Sequence, residues 1–128
     1  MDKTSNLQIA TLLCLATGSS FATECDLDYA KDLYEQCAAC HTYVAGDLAK
    51  SGPNLRGLFG RLAGSVDYPI GFSKDMTESG IVWDAATLDQ FLKRPAAIVR
   101  STTMLFVGIS DAEDRAELIC YLKKVTLP

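Results

Sequence analysis

Cys37-Ala38-Ala39-Cys40-His41 sets two thiols three positions apart and follows the second with an imidazole. Three positions is about one helical turn, so the two sulfurs face the same side. That reach suits addition to two vinyl groups along one edge of a porphyrin, with the imidazole then turned toward iron. Cys-x-x-Cys-His is accordingly read as c-type heme attachment, and His41 is the only histidine in the chain. Two other chemistries use paired cysteines. A thiol–disulfide redox centre also uses Cys-x-x-Cys, with one thiol pKa lowered. A zinc half-site would need a second Cys or His pair at ligand spacing, which the sequence lacks. The trailing His41 favours heme, because the redox pattern has no use for it.

Around this motif, 128 residues suffice for one domain with a single modest core. A formal charge of −4 argues against a nucleic-acid partner, which would require a basic patch. It also argues against charge-driven binding to anionic membranes. Upstream, Leu7 to Ala16 form a short apolar run after a polar start containing Lys3, and Ser20 and Ala22 bracket Phe21 like a cleavage site. Residues 1–22 therefore read as a cleavable signal peptide and 23–128 as the mature domain. The apolar run is shorter than the ~20 residues of a membrane span, so no stable membrane insertion is expected. Because Asp2 offsets Lys3, an uncleaved interfacial anchor is the other reading. Export favours heme, since bacteria attach it covalently outside the cytoplasm.

Leu27, Ala30, Leu33, Tyr34 and Cys37 recur at three-and-four spacing, which predicts an amphipathic helix running into the motif. Residues 42–71 have the opposite character, with six glycines plus Pro53 and Pro69. Such a segment builds no core of its own and makes sense wrapped around a flat apolar cofactor. A helical turn is expected over Ser73 to Ser79. A helix follows Asp84, with Leu88, Phe91 and Leu92 on one face and Pro95 as its stop. The last helix is expected to open at Ser110, in a capping-box pattern with Glu113, and to bury Ala112, Ala116, Ile119, Cys120 and Leu122. Lys123 and Lys124 suit its C-terminal end. With no strong alternating pattern, the fold class is all-α with long loops.

These pieces together resemble class I cytochrome c, of the mitochondrial cytochrome c and bacterial cytochrome c2 type. The resemblance rests on the attachment motif, Gly52-Pro53-Asn54-Leu55, Gly57-Leu58-Phe59-Gly60-Arg61 and Gly80-Ile81-Val82-Trp83. Leu88 to Pro95, Thr102 to Gly108 and Arg115 to Lys124 extend it over essentially the whole mature chain. It implies N- and C-terminal helices that cross, a middle helix, and loops wrapped around one covalently bound heme c. It implies attachment through Cys37 and Cys40, and iron held by His41 and Met104. A neutral thioether favours ferrous iron, and Met/His ligation raises the potential. Met76 is the competing methionine, on the wrong side of Trp83 for the family pattern. The Pro53 carbonyl is expected to accept from His41, Arg61 and Trp83 to reach a propionate, and Thr102 to present a hydroxyl on the distal side. Since the terminal helices cross, a Cys25–Cys120 disulfide is conceivable in an exported protein, with two unpaired thiols as the alternative.

The sequence also departs from the family. Phe91 and Phe72 replace tyrosines, with Tyr68 near enough to compensate for the second. Arg100-Ser101 replaces Pro-Gly before the ligand loop, predicting a less rigid loop. Positions that carry docking lysines in mitochondrial members are here Gln36, Ala96, Ala97, Thr103, Ser110 and Asp111. Weak steering toward acidic partners follows. The missing ring together with the export peptide points to a periplasm rather than a mitochondrial intermembrane space. The implied function is a soluble, monomeric electron carrier between redox protein donors and acceptors, such as membrane oxidase or reductase complexes, with no enzyme chemistry. The alternatives are a heme enzyme or sensor in which the methionine leaves, and a subunit of a larger oxidoreductase.

Overall fold

The computed structural model describes residues 24–128, so the signal peptide expected at 1–22 lies outside the described residues. Five helices follow in order: α1 (Leu27–Ala38), α2 (Lys74–Thr77), α3 (Ala85–Lys93), α4 (Pro95–Ile98) and α5 (Ala112–Val125). The described residues contain no β-strand, only an isolated bridge between Leu62 and Val82. The all-α expectation holds.

Each longer helix begins at an aspartate whose side chain accepts from a free N–H of the first turn. Asp26 caps α1 through the Tyr29 N–H. Asp84 and Thr87 cap α3 reciprocally. Asp111 caps α5 through the N–H groups of Glu113 and Asp114. The expected start at Ser110 is thus corrected by one residue, because the aspartate carboxylate reaches both amides. Ile119 and Leu122 are buried as expected, and the rest of the buried face is corrected. Arg115, Leu118, Ile119, Tyr121 and Leu122 are buried, whereas Ala112 and Ala116 are exposed and Cys120 is half-buried. Pro95 does stop α3, but it also occupies the first turn of α4, where its missing N–H costs nothing.

Helix α1 packs on α5, and α5 on α3. Ala30 and Leu118 are both wholly buried, as a close approach of α1 and α5 requires. The Asp26 N–H donates to Glu117 at 2.9 Å and the Tyr29 hydroxyl to Asp114 at 2.5 Å. A disulfide joins Cys25 to Cys120, with Cα atoms 5.9 Å apart. One core cluster joins Tyr34, Cys37, Leu58, Trp83, Leu88, Phe91, Leu92 and Leu118. The motif-bearing end of α1, the glycine-rich loop and α3 therefore surround one interior.

Candidate functional site

Between these elements lies a cavity of about 270 Å³. Cys37 and Cys40 line it, as do His41, Pro53, Arg61, Trp83, Thr102 and Met104. Every residue singled out from the sequence thus reaches one space. Most of the remaining wall is apolar, built from Leu55, Leu58, Leu88, Phe91, Leu92 and Phe106. Such walls bind a large apolar group and keep water out.

The last turn of α1 sets the motif. The N–H groups of Cys40 and His41 both donate to the Cys37 carbonyl, at 3.0 and 2.8 Å. Cys37 is buried and Cys40 exposed, and neither is in a disulfide. Burial, followed by the nearby Cys40, pushes the Cys37 thiol up to about 11. A redox-active Cys-x-x-Cys requires the opposite shift, so this geometry does not suit thiol exchange. Among the described residues no three His, Cys, Asp or Glu side chains gather as a metal site.

His41 Nδ1 lies 2.8 Å from the Pro53 carbonyl. A carbonyl only accepts, so Nδ1 carries the proton and Nε2 keeps its lone pair. Burial lowers the His41 pKa, and Arg61 and Lys50 lower it further against the Pro53 bond, which favours the neutral ring that ligates metal. Gly52 makes this placement possible. A Cβ there would lie 2.5 Å from Cε1 and 2.8 Å from Nδ1 of His41. The Gly52 N–H also donates to the Cys40 carbonyl at 2.8 Å, tying the loop back to the motif. Sequence reasoning used Gly52 only as part of a matching segment.

The opposite approach to the cavity comes from the segment between α4 and α5. Thr102, Met104 and Phe106 are half-buried, while Thr103, Leu105 and Val107 between them are exposed. This alternation is that of an extended chain with one face turned inward. The Met104 N–H donates to the Thr102 hydroxyl at 3.3 Å, so Thr102 shapes the loop as well as lining the cavity. Met76, on α2, lines the same cavity. Phe91 packs edge-on against Trp83 at 5.0 Å and presents no hydroxyl.

The bridge between Leu62 and Val82 brings Arg61 beside Trp83, whose N–H donates to the Arg61 carbonyl at 3.0 Å. The Arg61 guanidinium donates to the Arg56 carbonyl at 2.9 Å and to the Asn54 carbonyl at 3.3 Å. Tyr68 is buried on Phe72, with ring centroids 5.1 Å apart, and its hydroxyl donates to the Ser51 carbonyl. Tyr68 and Phe72 both line the cavity.

The family model for cytochrome c matches residues 27–126. Cytochrome c of Theileria annulata is 42% identical over 97 residues, covering 76% of this chain and 83% of its own. Cytochrome c2 of Afifella marina is 41% identical over 96 residues, covering 73% and 77%. Among solved structures, cytochrome cH from Methylobacterium extorquens superposes with a TM-score of 0.70 at 35% identity, covering 77% of this chain and 98% of that one.

Proposed function

The chain belongs to the cytochrome c family, which carries covalently attached heme c, and from that premise we propose a monoheme electron carrier with iron between His41 and Met104. The observation that carries this reading is the convergence of both thiols, the oriented imidazole and Met104 on one mainly apolar cavity. When bound, heme c supplies a one-electron ferric/ferrous couple whose potential is set by its axial ligands and surroundings.

In this reading Cys37 and Cys40 form the covalent attachment, and His41 offers Nε2 while Pro53 holds the ring in one tautomer. Met104 contributes a neutral sulfur. Phe91 lines the same cavity and offers that sulfur no hydroxyl donor. Arg61 and Trp83 both line the cavity, where a guanidinium and an indole N–H would reduce the cost of burying a heme carboxylate. Thr102 serves as the hydroxyl-bearing residue of the ligand loop. No substrate chemistry is assigned, and the partners are redox protein donors and acceptors. Residues 1–22 are proposed as an export peptide, 23–128 as the mature domain, and the periplasm as its location. Among the described residues no helix is long and apolar enough to cross a membrane.

The test is a Met104→Leu variant compared with Met76→Leu. Loss of the sulfur-to-iron absorption band and a lowered potential in the first alone are expected. Loss in the second alone would transfer the ligand role to Met76. A ferrous spectrum that changes readily under carbon monoxide at neutral pH would instead favour a heme enzyme or sensor.

A further inference from the structure

The segment that carries Met104 is held at its two ends by unlike means. At the C-terminal end Arg115 is buried and donates through Nη1 to the carbonyls of Ile109, Ser110 and Asp111, at 2.9, 2.8 and 3.1 Å. Its Nε meets Asp89 of α3 at 2.7 Å. The Ile109 N–H donates to the Leu92 carbonyl at 2.9 Å, and a Cβ on Gly108 would collide with the Lys93 carbonyl. This end is locked into α3 and α5.

The N-terminal end has no such lock. Val99 is buried, but Arg100 and Ser101 are exposed. The bonds beyond Val99 are local: Thr102 N–H to Val99, Met104 N–H to Thr102, and Phe106 N–H to Met104. One long-range restraint remains. The Ser101 N–H donates to Asp75 Oδ2 at 3.0 Å, across a sequence separation of 26. Asp75 sits on α2 beside Met76, which lines the cavity. A single carboxylate therefore ties one wall of the site to the hinge of the loop opposite.

We propose that Asp75 is a positioning residue for Met104: by holding the Ser101 N–H it keeps the loop closed on the site, and its loss lets the loop swing out about the fixed Gly108–Asp111 end. This rests on the reading of Met104 as the distal ligand, and it supplies the rigidity that Arg100-Ser101 does not.

Imidazole, added to the ferric holoprotein, reports loop opening by the rate at which the sulfur-to-iron band disappears. Asp75→Ala is expected to speed that loss about 3- to 10-fold, as removal of one such bond allows. Asp75→Asn, which keeps an acceptor oxygen, should stay near the unsubstituted rate. Asp32→Ala, removing an exposed carboxylate on α1, should change nothing. Native-state hydrogen exchange adds a second readout, with the Ser101 amide faster by a similar factor in Asp75→Ala and the Ile109 amide unchanged. Unaltered imidazole and exchange rates in Asp75→Ala overturn the proposal. So does an Asp75→Asn variant as fast as the alanine, because charge and not the bond would then be responsible. A band that survives Met104→Leu overturns the ligand reading itself and the proposal with it, and is told apart by that variant alone.

Discussion

A methyl group at position 52 would meet His41 Cε1 at 2.5 Å, Nδ1 at 2.8 Å and the Cys40 carbonyl at 2.9 Å. All three belong to the attachment motif, so the ring cannot move aside without leaving Pro53. Gly52→Ala is therefore expected to destabilise the protein by about 1–3 kcal/mol, the usual range for overpacking. It should also lengthen or break the His41–Pro53 bond. Denaturant unfolding checks the first, and the NMR shift of the His41 Nδ1 proton checks the second. An unchanged shift would mean that the loop yields instead of the ring. The thiols and imidazole proposed to hold the heme were legible in the sequence because their spacing is local, Cys37 to His41. The role of Gly52 was hidden because it depends on a contact between residues eleven positions apart. Met76 lining the same cavity as Met104 was equally invisible, since only the folded chain brings α2 alongside the ligand loop.

Helices α1, α2 and α3 were legible because their caps are local. Asp26, Ser73 and Asp84 each bond an amide three positions beyond themselves. Helix α5 was misread on its buried face. Ile119 and Leu122 were placed correctly, but Ala112 and Ala116 lie outside the buried face, and Arg115, Leu118 and Tyr121 within it. An arginine reads as surface in a sequence, and nothing local announces that Asp89 and three carbonyls will surround it. The Cys25–Cys120 disulfide is a property of elements, not residues. It fastens the start of α1 to α5 across a separation of 95 residues, and long loops lose the most entropy on closure. Cys120→Ser should lower the unfolding free energy by about 2–4 kcal/mol. Wild-type protein treated with reductant should unfold at the same denaturant midpoint as the variant. Identical midpoints for oxidised wild type and variant would show that α1 and α5 hold together without the bond.

At the scale of the molecule, carboxylates gather at the starts of α1 and α5. Asp26 and Asp28 stand in the first turn of α1, and Asp111, Glu113 and Asp114 in that of α5. There Asp26 and Asp111 accept from free amides, and all five oppose the positive end of a helix dipole. The two starts are neighbours, since Asp26 bonds Glu117 and Tyr29 bonds Asp114. Around the ligand loop the surface is different. Gln36, Ala96, Ala97 and Thr103 are exposed and uncharged, and Leu105 and Val107 stand out at 102% and 92% exposure. Lys93, Arg94 and Arg100 are the exposed cations nearby. A partner docking here meets apolar side chains with few opposite charges to steer it. Raising ionic strength from about 0.01 to 0.1 M shortens the Debye length from about 30 to 10 Å, which removes most long-range attraction where there is any. The second-order rate of electron transfer to the native partner should therefore fall by less than about threefold over that range. Leu105→Ser should slow it at every salt concentration, because the lost contact is apolar and unscreened. A steep fall with salt, together with an inert Leu105→Ser, would instead place docking on Lys93, Arg94 and Arg100.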